Sequence, residues 1–157
     1  MKAMKQQGFT LIELVIVIII LGILAVTAAP KFLNLQTDAR VSTLSGLEAA
    51  VKGGANLVYS KAAIAGEESA ENGSLTDPAV TLAYGYPAAD IDELDEWLDI
   101  THSTDGSTGD WIANETGTTL TFSPSSVASG SASTCQLTYN EATSGSAPTY
   151  TIDPSGC

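Results

Sequence analysis

At 157 residues, with six Lys or Arg against 18 Asp or Glu, the chain carries a formal charge of -12. All six cations (Lys2, Lys5, Lys31, Arg40, Lys52 and Lys61) lie in the first 61 residues, and the remaining 96 hold 15 acids and no Lys or Arg. Such a surface repels nucleic acid and anionic lipid, both of which need cationic contacts. One His and no nucleophile motif around any Ser leave an enzyme, or a cofactor, without support.

The amino end carries the most information. Lys5-Gln6-Gln7-Gly8-Phe9-Thr10-Leu11-Ile12-Glu13-Leu14 opens an almost wholly apolar run that continues to Ala29. Phe9 to Ala29 is 21 residues, and a helix of that length covers about 30 Å, the thickness of the hydrocarbon layer. Lys2 and Lys5 flank it on the amino side, which keeps that side cytoplasmic and sends the rest of the chain across. A secretory signal has a shorter apolar stretch, about 7–15 residues, followed by a small-residue cut site. Ala25 to Ala29 offers such small residues, and a cut there would release a soluble domain. Glu13 puts a bare carboxylate inside the run, at a cost of roughly 2.5–3.5 kcal/mol on insertion scales. A cut at Gly8-Phe9 would create an ammonium four residues before Glu13. The two opposite charges would then attract, either within one helix or between copies, where the pair would fix axial register.

Pro30 removes a backbone donor and clashes with the preceding turn, and Gly22 weakens the helix about two turns earlier, so a kink is expected there. Helical periodicity then resumes. Leu44, Leu47, Val51, Ala55, Val58 and Ala62 recur at spacings of three and four as one apolar stripe, which Leu33 and Val41 extend. The pattern predicts one long helix from Phe9 to about Ala63, with a membrane segment over 9–29 and an amphipathic stem over 30–63. Glu48 and Lys52 form an i, i+4 pair in the favourable orientation. Gly46, Gly53 and Gly54 cost helix stability, either to admit a close neighbour or through simple tolerance.

Residues 64–157 are expected to form the head. Gly66 to Gly73 reads as a loop, and Ala83-Tyr84-Gly85-Tyr86-Pro87 as a turn or an extended piece. Residues 90–98 suit a short helix, with Asp90 as cap, Glu93 three residues on, and Ile91, Leu94, Trp97 and Leu98 on one face. The same stretch lacks the mid-loop Gly and terminal Glu spacing of an EF-hand. Asp105 to Asp110 is a second oxygen-rich loop, but acidic loops alone do not make a cage of six or more oxygens, so no metal is expected. Thr118 to Phe122, Gln136 to Tyr139 and Thr149 to Ile152 alternate with period two and predict strands. Their short connections favour antiparallel pairing, and one face of such a sheet would cover the stem stripe, giving an α+β head. Cys135 and Cys157 allow a single intramolecular disulfide in an exported chain. Asn72-Gly73-Ser74 and Asn114-Glu115-Thr116 match the glycosylation sequon, a pattern common by chance.

The basic leader, Gly8, the Phe9-Thr10-Leu11-Ile12-Glu13 sequence and the apolar helix, in that order, resemble the start of a type IV prepilin. The resemblance implies the pilin fold, with a long helix on a small antiparallel sheet. It implies that a membrane prepilin peptidase removes residues 1–8 by cutting Gly8-Phe9 and methylates Phe9. It implies that Glu13 pairs with the Phe9 amine of the next subunit, that the helix melts between Gly22 and Pro30 in filaments, and that Cys135 and Cys157 close a carboxy-terminal loop. The subunit would wait in the bacterial inner membrane until an ATP-driven assembly machinery lifts it into a homopolymer, the extracellular pilus (fimbrium). The short leader and the Phe9 start look like the type IVa class. Residues 29–40, Tyr84-Gly85-Tyr86-Pro87 and the ending from Thr134-Cys135 to Gly156-Cys157 resemble the mannose-sensitive haemagglutinin (MSHA) branch. That branch implies a fibre for adhesion, haemagglutination or biofilm, with host or surface glycans as partners. A type II secretion pseudopilin shares the leader and helix but often carries a calcium site, so the two cysteines favour a pilin. A secreted binding module that has lost its anchor is the third reading.

Overall fold

The computed structural model describes residues 8–127 and 134–157, with the backbone alone at residues 29 and 32–34. The leader through Gln7 and the side chain of Leu33 therefore lie outside the described residues. Helix α1 runs over Leu11–Ala65 and includes both Gly22 and Pro30. It contributes to two compact units, one ending at Thr37 and the other running from Asp38 to Cys157.

In the first unit, Leu11–Ala28 has a mean hydropathy of 3.0 and none of it is buried. Apolar side chains face outward all around the helix, from Leu11, Ile12 and Leu14 through Ile23, Leu24 and Val26. A helix that is hydrophobic on every side belongs in lipid or in the core of a larger assembly.

In the second unit the stripe does what its spacing predicts. Leu44, Leu47, Val51, Ala55, Val58 and Ala62 are all buried, and Val41 is half-buried. They share one core with Leu120, Phe122, Leu137 and Tyr139. Two sheets form the rest of this unit. Strands β1 (Gly73–Thr76), β2 (Ala79–Ala83) and β3 (Tyr86–Pro87) make an antiparallel sheet in that order, with a cis Asp77-Pro78 bond between the first two. After the short helix α2 (Leu94–Trp97) come β4 (His102–Ser103), β5 (Trp111–Thr116), β6 (Thr119–Pro124), β7 (Gln136–Asn140) and β8 (Thr149–Asp153), ordered β4-β5-β6-β7-β8. Leu120 lies opposite Tyr139 and Phe122 opposite Leu137, so cross-strand apolar pairs face the helix. The fold is α+β, with an amino-terminal apolar helix followed by antiparallel sheet.

Two expectations need correction. The first sheet falls where the reading gave a loop over 66–73, a turn or an extended piece over 83–87 and no element between; β3 fits the extended alternative, and β1 and β3, at four and two residues, are too short to show a period. The three strands read from the sequence, β6, β7 and β8, pair antiparallel as expected, and beside them stand β5 and a short parallel β4–β5 pair in a stretch where no strand was read. Gly106 and Gly109, at φ 75° and 87°, turn the chain back so that Thr101 O accepts from the N–H groups of both Asp110 and Trp111. Finally, α2 begins at Leu94 and Asp90 does not cap it. Asp90 instead accepts from Asp92 N (2.9 Å), while Glu93 accepts from Thr81 N (2.6 Å) and Thr81 Oγ1 (2.9 Å).

Glu93 belongs to a pattern. Glu141 accepts from Ala89 N and Glu115 from Ile91 N, each at 3.0 Å. Three carboxylates of the acidic head thus accept from backbone donors, Glu141 and Glu115 in the irregular stretch that enters α2 and Glu93 on strand β2. These acids build the fold as well as solubilise it.

Cys135 and Cys157 form the expected disulfide across a separation of 22 residues. Arg40 of α1 donates to Cys157 O at 2.6 Å, and Gly156 N donates to Thr134 O at 2.7 Å. Replacing both cysteines by Ser should lower unfolding stability by about 3 kcal/mol on the chain-entropy argument. Urea unfolding of the oxidised wild type against the variant measures it. Equal midpoints would mean that Arg40 and the β7–β8 ladder hold the loop without the covalent bond.

Candidate functional site at the amino end of the first helix

The structure places Gly8, Phe9 and Thr10 outside regular structure, immediately before the first helical residue. Phe9 is 93 % exposed, and a Cβ built on Gly8 would meet nothing within 4 Å. The Gly8-Phe9 bond therefore lies in exposed backbone outside helix and strand.

Thr10 and Glu13 close a reciprocal cap. Glu13 Oε2 accepts from Thr10 N at 2.9 Å and from Thr10 Oγ1 at 2.8 Å, while Thr10 Oγ1 accepts from Glu13 N at 3.3 Å. The first helical backbone bond, Leu14 N to Thr10 O, closes at 3.3 Å. Thr10 is thus the N-cap and Glu13 the third helical residue, the arrangement of a capping box. Two donors that would otherwise stand unpaired in an apolar setting are satisfied, and the acid gains partners that offset its desolvation. The negative charge also lies at the positive end of the helix dipole.

Sequence reasoning gave Glu13 one task, attraction to a new amine, and missed Thr10. The signal was present in Thr10-Leu11-Ile12-Glu13, which is the capping spacing before an apolar run. The cap holds the carboxylate on the backbone nitrogen next to Phe9, one residue from where cleavage would expose an amine. Gly22 and Pro30 lie further along α1, and the cysteines lie in the other unit. Asp105 and Asp110 turn inward on their own loop, accepting from Ser107 N and Thr101 Oγ1. Among the described residues, no group of three or more His, Cys, Asp or Glu stands close enough to hold a metal.

The site is thus an acid-capped start to a helix whose first 18 residues, Leu11–Ala28, bury none of their surface, with the α+β unit later in the chain. Residues 3–29 match the prokaryotic N-terminal methylation motif. The chain is 47 % identical over 49 residues to the type IV narrow pilus major component PilA5 of Thermus thermophilus, covering 31 % of this chain and 42 % of that protein. It is 36 % identical over 87 residues to the fimbrial protein EcpC of Eikenella corrodens, covering 51 % and 57 %. It is 41 % identical over 46 residues to the type II secretion system core protein G of Pseudomonas aeruginosa, covering 29 % and 32 %. In each case the match spans less than two thirds of the relative's length. No solved structure gives a significant match.

Proposed function

We propose that this chain is the structural subunit of a type IV pilus, cut at Gly8-Phe9, methylated on Phe9 and polymerised into a surface fibre. One observation carries the reading. Glu13 is held at the start of an apolar helix that leaves every side uncovered. In lipid, that helix is at home. In a fibre, the same surface moves from lipid tails onto neighbouring helices, with little hydrophobic free energy at stake, so the one charged side chain sets register. Prepilin peptidase and an inner-membrane assembly machinery are the partners this pathway requires. Gly22 and Pro30 mark where α1 would unwind during packing, and the MSHA-like segments support a role in adhesion, haemagglutination or biofilm. Similarity to the secretion protein favours a second reading, a periplasmic pseudopilin.

The test is the intact mass of the chain in filaments sheared from cells, taken without reductant. An abundant species that begins at N-methyl Phe9 and carries the disulfide is expected. The same mass confined to the cell envelope would overturn the surface fibre in favour of the pseudopilin. Gly8→Ala should slow processing, and Gly8→Leu should leave residues 1–8 attached, because a peptidase that accepts Gly there has no room for a branched side chain. A fully processed Gly8→Leu chain would refute the cleavage site.

A further inference from the structure

We infer that an acid-rimmed groove beside α2 receives Lys31 of a second copy of this chain. The inference rests on the reading of the chain as a polymerising subunit, and it adds a contact between head and helix that Glu13 does not make. The groove lies in the unit from Asp38 to Cys157, where α2 comes close to Gly54 of α1, and has a volume of about 320 Å³. Leu57, Val58, Trp97 and Leu98 give it an apolar floor, and Asp95, Glu96 and Asp99 stand exposed along its rim. Lys61 and Asp77 also line it but answer each other, since Lys61 Nζ donates to Asp77 O at 3.0 Å and stands 3.9 Å from Asp77 Oδ1. Asp95 stands 3.4 Å from His102 Nδ1, and neither Glu96 nor Asp99 has a side-chain partner among the described residues. Acids held together without a counter-charge repel one another, and a cation brought from outside relieves that. A hydrocarbon stem with a charged tip, as in lysine, fits an apolar floor under an acidic rim.

The groove opens beside an unpartnered face of α1. Gly46, Ala50, Gly53, Leu57 and Ile64 follow one another at helical spacings, on the side away from the buried stripe. All five are exposed, Leu57 at 63 % and Ile64 at 88 %. A Cβ on Gly46 or Gly53 would meet nothing within 4 Å. A stem that only carried its head through water would place charged or polar residues along this line. Small and apolar ones instead let another helix approach closely.

The chain's own charges name the occupant. Four cations lie among the described residues, and three are engaged within the head unit. Arg40 donates to Cys157 O, Lys52 to Glu48 Oε1 and Lys61 to Asp77 O. Lys31 is exposed and has no partner among the described residues, and no acid lies within four positions of it. Leu24, Ala28 and Leu35, seven and three residues before it and four after, share its helix face and are exposed as well. One unit thus presents a lone lysine within an apolar stripe, and the other presents an acid-rimmed groove beside one. The surfaces match in charge and in what surrounds the charge. Each copy would give Lys31 to one neighbour and take Lys31 from another, a head-to-tail contact that repeats along a fibre.

Carbodiimide coupling of the wild-type polymer, from sheared filaments or from the cell envelope, tests the contact. The reagent joins an amine to a carboxylate that touches it, with loss of one water. Covalent dimers containing peptides that link Lys31 to Glu96 or Asp99 are expected. Lys31→Glu brings a like charge to the rim and should cut polymer at least about tenfold, with the amount of processed subunit in the membrane unchanged. Adding Glu96→Lys to that chain should restore polymer to within about threefold of wild type, and Lys31→Arg should stay within the same range. Both positions are exposed, so an unchanged melting temperature is the control for folding. Four results would overturn the inference alone: wild-type polymer with no Lys31 product, full polymer yield from Lys31→Glu, a double variant no better than Lys31→Glu, or coupling of Glu96 and Asp99 to a different protein. A wild-type chain that forms no polymer anywhere would fell the subunit reading and the inference with it.

Discussion

Glu13→Ala is expected to insert, to be cut after Gly8, and to yield less than about a tenth of the wild-type fibre, since leaving one partner of a buried ion pair uncompensated costs roughly 3–5 kcal/mol. Insertion itself should become easier by about 2.5–3.5 kcal/mol once the acid is gone. The cap geometry makes a sharper experiment available. Glu13 accepts from Thr10 N through a single carboxylate oxygen, Oε2. Glu13→Gln keeps a carbonyl oxygen in that place and so keeps the cap, but it cannot pair with an ammonium as a charge. If register is set by charge, Gln fails as Ala does. If the acid serves only to start the helix, Gln assembles normally and Thr10→Ala becomes the damaging change, at about 1 kcal/mol of lost capping. Charge is the expected answer, read from the mass of sheared filament per cell beside the amount of processed subunit in the membrane. Wild-type fibre from Glu13→Ala would end the case for any assembly role.

How much was legible in the sequence follows the length scale over which each pattern repeats. The stem stripe repeats over 19 residues from Leu44 to Ala62, and all six of its positions are buried. The strands with clear alternation, β6, β7 and β8, lie within two residues of their predicted bounds. Strand β5, six residues long, was missed because its burial does not alternate. Where elements shrink to two to four residues, as in β1, β3, β4 and α2, no period has room to show, and tertiary partners decide instead. Asp90 shows this best, because its spacing to Glu93 matched a cap until Thr81 proved the stronger claimant for Glu93. At the candidate site the residues were legible and their relationship was not. Glu13 drew attention by its charge, whereas Thr10, a routine residue by composition, completes the cap. The head's acids show the same limit, since counting charges gave a repulsive surface and only the structure distinguishes Glu93, Glu115 and Glu141 as partners of backbone N–H groups.

The paired glycines of the stem give the second large effect, and they should respond in opposite directions. Gly53 and Gly54 are neighbours in α1, and each costs its helix roughly 0.5–1 kcal/mol relative to Ala. A Cβ on Gly53 would meet nothing within 4 Å. Gly53→Ala should therefore recover most of that cost and raise the melting temperature by a few degrees. A Cβ on Gly54 would lie 2.5 Å from Trp97 O and 3.1 Å from Trp97 Cε3. The nearer of these is backbone, so a new rotamer cannot relieve the clash and α2 itself must move. Trp97 is buried, tilts against Tyr139 with ring centroids 5.9 Å apart, and has an indole N–H without a hydrogen-bond partner. Its place thus depends on packing and on the short α2 backbone, closed by Leu98 N to Leu94 O at 3.0 Å. Overpacking of this kind costs roughly 1–3 kcal/mol, and a shift of α2 also disturbs Leu94 and Leu98 in the core, so Gly54→Ala should lose about 1–2 kcal/mol net of its helix gain. Thermal unfolding followed by near-ultraviolet circular dichroism reads both changes. A Gly54→Ala chain as stable as Gly53→Ala would mean that the helix and α2 separate freely, and the close approach would then have no part in holding the head to its stem.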